Sequence, residues 1–201
     1  PGYQAPFDLL DWPANGNTAN GELEQLAPFF DQNANGLYEP DSGDYPLIPG
    51  DEAMYLIYSD EHFPNFETVG LRTGIEVRQM VYAYDTIPGN PIDQAIFMSY
   101  TLINQSIDDY RDLYVGLWMD VDLGTFSDDY VGTDDKFNLF YTYNGDPVDG
   151  PGFGAYGANP PAYGVAFLNQ NLDFMRTYNN DFSNFGNPET PEHYYRYLQN
   201  L

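Results

Sequence analysis

The chain contains no cysteine, which excludes disulfides, thiol catalysis and thiolate-ligated zinc and leaves the redox compartment open. Basic residues are scarce: Lys and Arg number 6 against 31 Asp and Glu, a formal net charge of -25. A surface so acidic repels nucleic-acid phosphates and anionic lipid headgroups, so neither is an expected partner. It also repels itself, and bound divalent cations would relieve that strain. The two histidines, His62 and His193, stand far apart with no nucleophile signature beside them, giving no support to a Ser-His-Asp arrangement or a zinc site. No run approaches the roughly 18 apolar residues of a membrane-spanning helix, so no membrane insertion is expected. A chain that opens on Pro1 is expected to have lost its natural start.

What is present is a fold-competent composition. Hydrophobic residues make up 42% of the 201 positions and aromatics 17%, too much apolar matter for a disordered polyanion. The length suits one domain, or one domain with an appended segment, and allows a sizeable core. Residues 1–50 are rich in Pro, Gly, Asn and Asp, with Trp12, Phe29 and Phe30 as apolar anchors, and read as an extended arm. From 51 the pattern turns to β, with candidate strands at 53–58, 74–84, 94–104, 112–122, 137–143 and 163–168. Ile75, Val77, Gln79, Val81 and Ala83 alternate with Glu76, Arg78, Met80, Tyr82 and Tyr84, which predicts one packed face and one aromatic-polar face. The separators 86–92 and 105–111 are too short for helical crossovers, so neighbouring strands should run antiparallel. An all-β sandwich or jelly roll over 51–170 follows. In the segment 171–201, residues 190–199 read as a short helix with Thr190 as N-cap, Pro191 at the first helical position and Glu192 in the first turn. No regular repeat argues for a solenoid or propeller.

The pattern richest in chemistry is Asp31-Gln-Asn33-Ala-Asn35-Gly36-Leu37-Tyr38-Glu39-Pro40-Asp41-Ser42-Gly43-Asp44. Calcium takes six to eight oxygens, and a D-x-[DN]-x-[DN]-G run aims three side chains inward while glycine takes the backbone angle that other residues resist. Asp31, Asn33, Asn35, the Leu37 carbonyl and Asp44 are the expected calcium ligands. The twelfth place, a bidentate Glu in an EF-hand, is Ser42, so closure falls to Glu39, Asp41 or Asp44, and a helix-loop-helix hand is disfavoured. Asn, Asp and Gly also gather simply because they make solvated turns.

A second acidic cluster puts six carboxylates within 120–135. If 112–122 is a strand, Asp120 and Asp122 share a face, and a loop carrying Asp128, Asp129 and Asp134 folds back to make a second calcium site. The alternatives are a solvated charged edge, or the acid and base of a glycoside hydrolase. Gly150 to Gly157 is glycine-rich but is followed by no lysine and no helix, so it reads as a loop rather than a phosphate cradle. Tyr82, Tyr84, Tyr100, Tyr141 and Tyr143 are candidates for a sugar-stacking platform or for ordinary cross-strand packing.

The order LAPFFDQNANGLYEPDSGDYP (26–46), GDEAMYLIYSD (50–60), GIEVRQMVYAYDT (74–86), FMSYTLINQS (97–106), DLYVGLWMDVDLGTFSDDYVGTD (112–134), YTYNGD (141–146) and YGANPPAYGVAFL (156–168) resembles a module of large secreted or surface proteins of Bacteroidota. Such proteins commonly end in a sorting domain for type IX secretion, and the module has in general no assigned activity. The resemblance implies a secreted or cell-surface location and a longer parent chain; the expected partners are other surface protein segments or, if the tyrosines and carboxylates recognise sugar, polysaccharide. Together with the residues above, the expectation is a calcium-binding, non-catalytic β module.

Overall fold

The structure, a computed structural model, describes residues 3–61, 63–66, 69–178 and 186–201. The chain divides into two compact units, Pro1–Asn65 with Leu71–Asp109, and Phe66–Gly70 with Tyr110–Leu201. Strands in antiparallel sheets dominate, as the sequence predicts, and helix is sparse.

The first unit opens with a single helical turn, α1 (Phe7–Leu10), and a two-stranded ribbon, β1 (Phe29–Phe30) with β2 (Tyr45–Pro46). Across that ribbon the rings of Phe30 and Tyr45 stack at 4.8 Å. Its sheet is β3 (Glu52–Ser59), β4 (Ile75–Ala83) and β5 (Phe97–Asn104), with β4 central and both pairings antiparallel. These are three of the predicted strands.

The faces of that sheet depart from simple hydrophobic alternation. The most buried positions on β4 are Glu76 and Met80, on the same face as Arg78. The arm supplies the reason: the Arg78 guanidinium donates Nη1 to the carbonyls of Gln25 at 3.0 Å and Leu26 at 2.7 Å. Its Nε meets Glu76 Oε1 at 2.6 Å. The polar face is thus the covered one, since backbone carbonyls of the arm give its charge a partner. The other face carries Met54, Leu56, Tyr58, Met98, Tyr100 and Leu102, all exposed. A small core joins arm to sheet: Ala14, Ala27 and Tyr38 are buried, with Trp12, Phe29 and Tyr55 packed against them.

The second unit contains β6 (Asp129–Asp134), β7 (Leu139–Asn144), β8 (Val148–Asp149), β9 (Gly157–Ala158) and β10 (Ala162–Ala166). Strand β7 is central between β6 and β10, all antiparallel, and β8 pairs with β9. Here the prediction needs correction twice. Residues 112–122 form no strand. The segment packs otherwise: the Tyr114 ring meets Tyr195 edge-on at 5.7 Å, and a side chain at Gly116 would strike Leu198. Alternation describes two faces, but a ladder also needs a neighbour. Conversely 129–134, read as acidic loop, forms β6 because β7 lies in register beside it.

Helix α2 (Pro191–Leu198) forms as predicted, with Thr190 Oγ1 accepting from His193 N at 3.3 Å and Pro191 opening the first turn. Glu192 and Arg196 pair at 3.0 Å on its exposed side. Among the described residues no helix is long and apolar enough to cross a membrane.

Candidate metal centre

The loop between β1 and β2 is organised by its own side chains. Asp31 Oδ2 accepts from Gly36 N at 2.7 Å and its Oδ1 from Asn35 N at 3.3 Å. Asn33 Oδ1 accepts from Asn35 N at 3.0 Å, and Asn35 Oδ1 from Leu37 N at 2.8 Å. Gly36 sits at φ 82, a left-handed conformation that glycine adopts without a steric penalty. The Gly36 amide beside Asp31 is the main influence holding that carboxyl below the ordinary carboxylate value; burial opposes it and the amides of Ala34, Asn35 and Asn33 add to it. Glu39 closes the group, its Oε2 lying 2.6 Å from Asn35 Nδ2 and 3.4 Å from Asn33 Nδ2. Asp31, Asn33, Asn35 and Glu39 therefore gather at one end of the loop, and each oxygen that accepts one N–H keeps a further lone pair.

Asp44 occupies a different position. It is only 2% exposed, and it braces the loop by accepting from Gln32 N at 2.9 Å and Glu39 N at 2.7 Å. Asp41 ties the loop to the N-terminal segment through Ala5 N at 3.0 Å. Tyr38 anchors the loop in the core, its hydroxyl donating to the Leu9 carbonyl at 2.7 Å. Burial, first of its causes, pushes that phenol's pKa up.

The second cluster divides. Asp120 and Asp122 are exposed on the irregular 112–122 segment, so the strand that would have given them a common face is missing. Asp134, at the end of β6, accepts from Lys136 N at 3.0 Å in the hairpin turn. Asp128 ends the short 3-10 turn Phe126–Asp128, and Asp129 opens β6 and accepts from Leu123 N at 2.8 Å. Two residues that sequence reasoning missed belong to this region. Asn144 stands opposite Asp129 in the ladder, a pairing legible only once β6 is recognised. Asp149, 2% exposed, accepts from Tyr156 N at 2.6 Å and Thr125 N at 2.9 Å. The Tyr156 amide is the leading cause that lowers the Asp149 carboxyl below its ordinary value, against burial. Close contact there requires Gly124, where a Cβ would lie 1.9 Å from Asp149 Oδ2.

Among the described residues no three His, Asp or Glu side chains gather closely enough to hold a metal by themselves. A cation in either place would draw on amide and backbone oxygens as well, a donor set that suits calcium and not zinc.

Four of the five tyrosines of the suggested platform make ring contacts, along their own strand or across to the next. Tyr82, Tyr84 and Phe97 form one group at 5.3–5.9 Å, and Tyr141 and Tyr130 flank Tyr143 at 5.8 and 6.0 Å. Tyr100 accepts from Gln79 Nε2 at 3.0 Å. His193 lies in the first turn of α2, and His62 falls outside the described residues. A cavity of about 390 Å³ in the first unit is lined by Tyr55, Arg78, Met80, Ser99 and Thr101 together with the arm. Comparison of the chain with protein-family models, curated proteins and solved structures finds no match.

Proposed function

We propose that this chain is a calcium-stabilised, non-catalytic β module of a secreted or cell-surface protein, with a structural, adhesive or assembly role. The observation that carries the reading is the convergence of Asp31, Asn33, Asn35 and Glu39 at one end of a loop whose other end is locked by buried Asp44. In this reading Asp31, Asn33, Asn35 and the Leu37 carbonyl bind the ion, Glu39 closes the shell, and Asp44 either joins it or orders it from behind. Calcium fixes the loop, the loop seats Tyr38, and Tyr38 completes the core between arm and sheet. Free ion at a hundred times its dissociation constant adds about 2.7 kcal/mol of stability by mass action. The exposed apolar face of β3–β4–β5 is of the kind a second layer covers. It supports both the sandwich or jelly-roll arrangement expected from the sequence and a role in packing against other protein segments. The likeness to Bacteroidota surface modules supports the extracellular address and the longer parent chain.

The test is thermal unfolding in calcium, magnesium and calcium-free buffer, with elemental analysis of the purified protein. A calcium-selective rise in Tm that Asp31→Ala largely removes supports the reading. An unchanged rise in Asp31→Ala takes the loop out of it.

A second reading, carbohydrate recognition, is favoured by the 390 Å³ cavity, where the hydroxyls of Ser99 and Thr101 and the ring of Tyr55 offer the polar groups and apolar surface that sugars use. A glycan array in calcium and in chelator separates the two readings, and turnover of a bound polysaccharide would move the acidic residues of 120–135 to a glycosidase role.

A further inference from the structure

Three oxygen atoms at one end of the β6–β7 ladder are buried and, among the described residues, have no hydrogen-bond partner: Oδ1 of Asp128, Oδ1 of Asp129 and Oδ1 of Asn144. Asp129 and Asn144 are direct partners in the register, so their side chains leave the same face with Cβ atoms about 4.5–5.5 Å apart. Asp128 is held at the same end by its carbonyl, which accepts from Gly145 N at 2.7 Å. The orientation of Asn144 is fixed: the residue is 9% exposed, and its Nδ2 donates to the Asp146 carbonyl at 2.9 Å. Turning the amide over would set two carbonyl oxygens against each other, so its Oδ1 stays directed into the interior. Asp129 is likewise pinned through Oδ2 by Leu123 N, which leaves Oδ1 for another partner.

These are three acceptors, two of them on neighbouring carboxylates, with no donor among them. Buried acceptors are normally satisfied, and a cation between two carboxylates offsets their mutual repulsion. One water molecule has two hydrogens and cannot serve all three oxygens. Of the four basic residues of this unit, Lys136 lies over Phe137, Arg176 over Tyr197, Arg196 pairs with Glu192, and Arg111 is exposed to solvent. Calcium accepts carboxylate, amide and backbone oxygens together in a tolerant geometry.

We infer that Asp128, Asp129 and Asn144 form the side-chain core of a second calcium site, separate from the loop 31–44. It shares with that loop only the identity of the ion, and either site can fail without the other. Buried Asp149 acts behind it, holding Thr125 and Tyr156 through its two oxygens and so fixing the turn that carries Asp128.

The test is calcium titration calorimetry on the stripped full chain. Two ions are expected for the wild type, one for Asp31→Ala, one for Asn144→Leu and none for the double variant. Asp129→Asn, which keeps the side-chain shape, should weaken the second ion about tenfold or more. Thermal unfolding separates ligation from mere packing. Without calcium, Asn144→Leu should lower Tm only modestly, because it loses the Nδ2 bond to the Asp146 carbonyl but also removes a buried acceptor that lacks a donor; in calcium its Tm should fall further below the wild type. An equal loss of Tm with and without calcium would overturn the inference. So would an undiminished ion count in Asn144→Leu together with an unchanged affinity for the second ion in Asp129→Asn, whereas an undiminished count in Asp31→Ala alone would overturn only the loop.

Discussion

Asn15 and Tyr38 are joined through a single amide: Asn15 Nδ2 donates to the Tyr38 carbonyl at 2.9 Å, and Tyr38 N donates back to Asn15 Oδ1 at 2.8 Å. The side chain thus replaces a strand neighbour for a buried residue that has none.

Asn15→Ala leaves a donor and an acceptor of the Tyr38 backbone unpaired, each costing about 1–3 kcal/mol. We expect the first unit to lose about 2 kcal/mol or more, and amide exchange at Tyr38 to accelerate correspondingly. Asn15→Asp keeps the acceptor but sets a carboxylate oxygen against the Tyr38 carbonyl, so it should cost at least as much as Asn15→Ala.

The Arg78–Glu76 pair is nearly buried, with side chains 12% and 10% exposed. Removing one member leaves an uncompensated charge, so Arg78→Met should cost about 3–5 kcal/mol. Glu76→Leu combined with Arg78→Met should recover part of that loss, incompletely because Glu76 also accepts from Gln105 and Arg78 also holds the arm. A double-mutant cycle by denaturant unfolding measures the coupling; additive costs would contradict it.

Acid should weaken both units through specific carboxylates. Burial is the largest influence on Asp60 and raises its pKa, but the amides of Thr73 and Gly74 and the Thr73 hydroxyl together outweigh it. Asp149 is lowered chiefly by the Tyr156 amide. A folded value below the ordinary 3.8 means that these groups stabilise fully above that value and lose their contribution as pH falls through the folded one. Unfolding followed from pH 6 to pH 2 in calcium-free buffer should show this decline. Asp60→Asn and Asp149→Asn should each flatten it.

Much of this architecture was legible from residue types. Runs rich in Tyr, Phe, Val and Ile gave β3, β4, β5, β7 and β10, and Thr190-Pro191-Glu192 gave the start of α2. What stayed hidden depends on neighbours that a local pattern does not contain. Strand β6 reads as a turn because Asp129, Gly132 and Asp134 dilute its β-formers, and it exists by pairing with β7. Residues 112–122 have the alternation of a strand but form no ladder. On β4 the covered face carries Glu76 and Arg78 rather than the more apolar set, since the arm offers Arg78 two carbonyls. In the candidate sites, the residues of the first loop were identifiable from their spacing. Asn144 was not, because it becomes a partner of Asp129 only through the register.

The tie between Arg78 and the arm spans 52 and 53 residues of chain, and that separation has a consequence for biogenesis. Contacts so far apart in sequence form late, after the closure entropy of the intervening loop has been met. As the polypeptide emerges from its N-terminal end, the arm appears first and its dock on β4 last. Tyr55 of β3 meets the Leu26 carbonyl before Arg78 of β4 does, so the arm gains its hold on the sheet in the order in which the two strands are made.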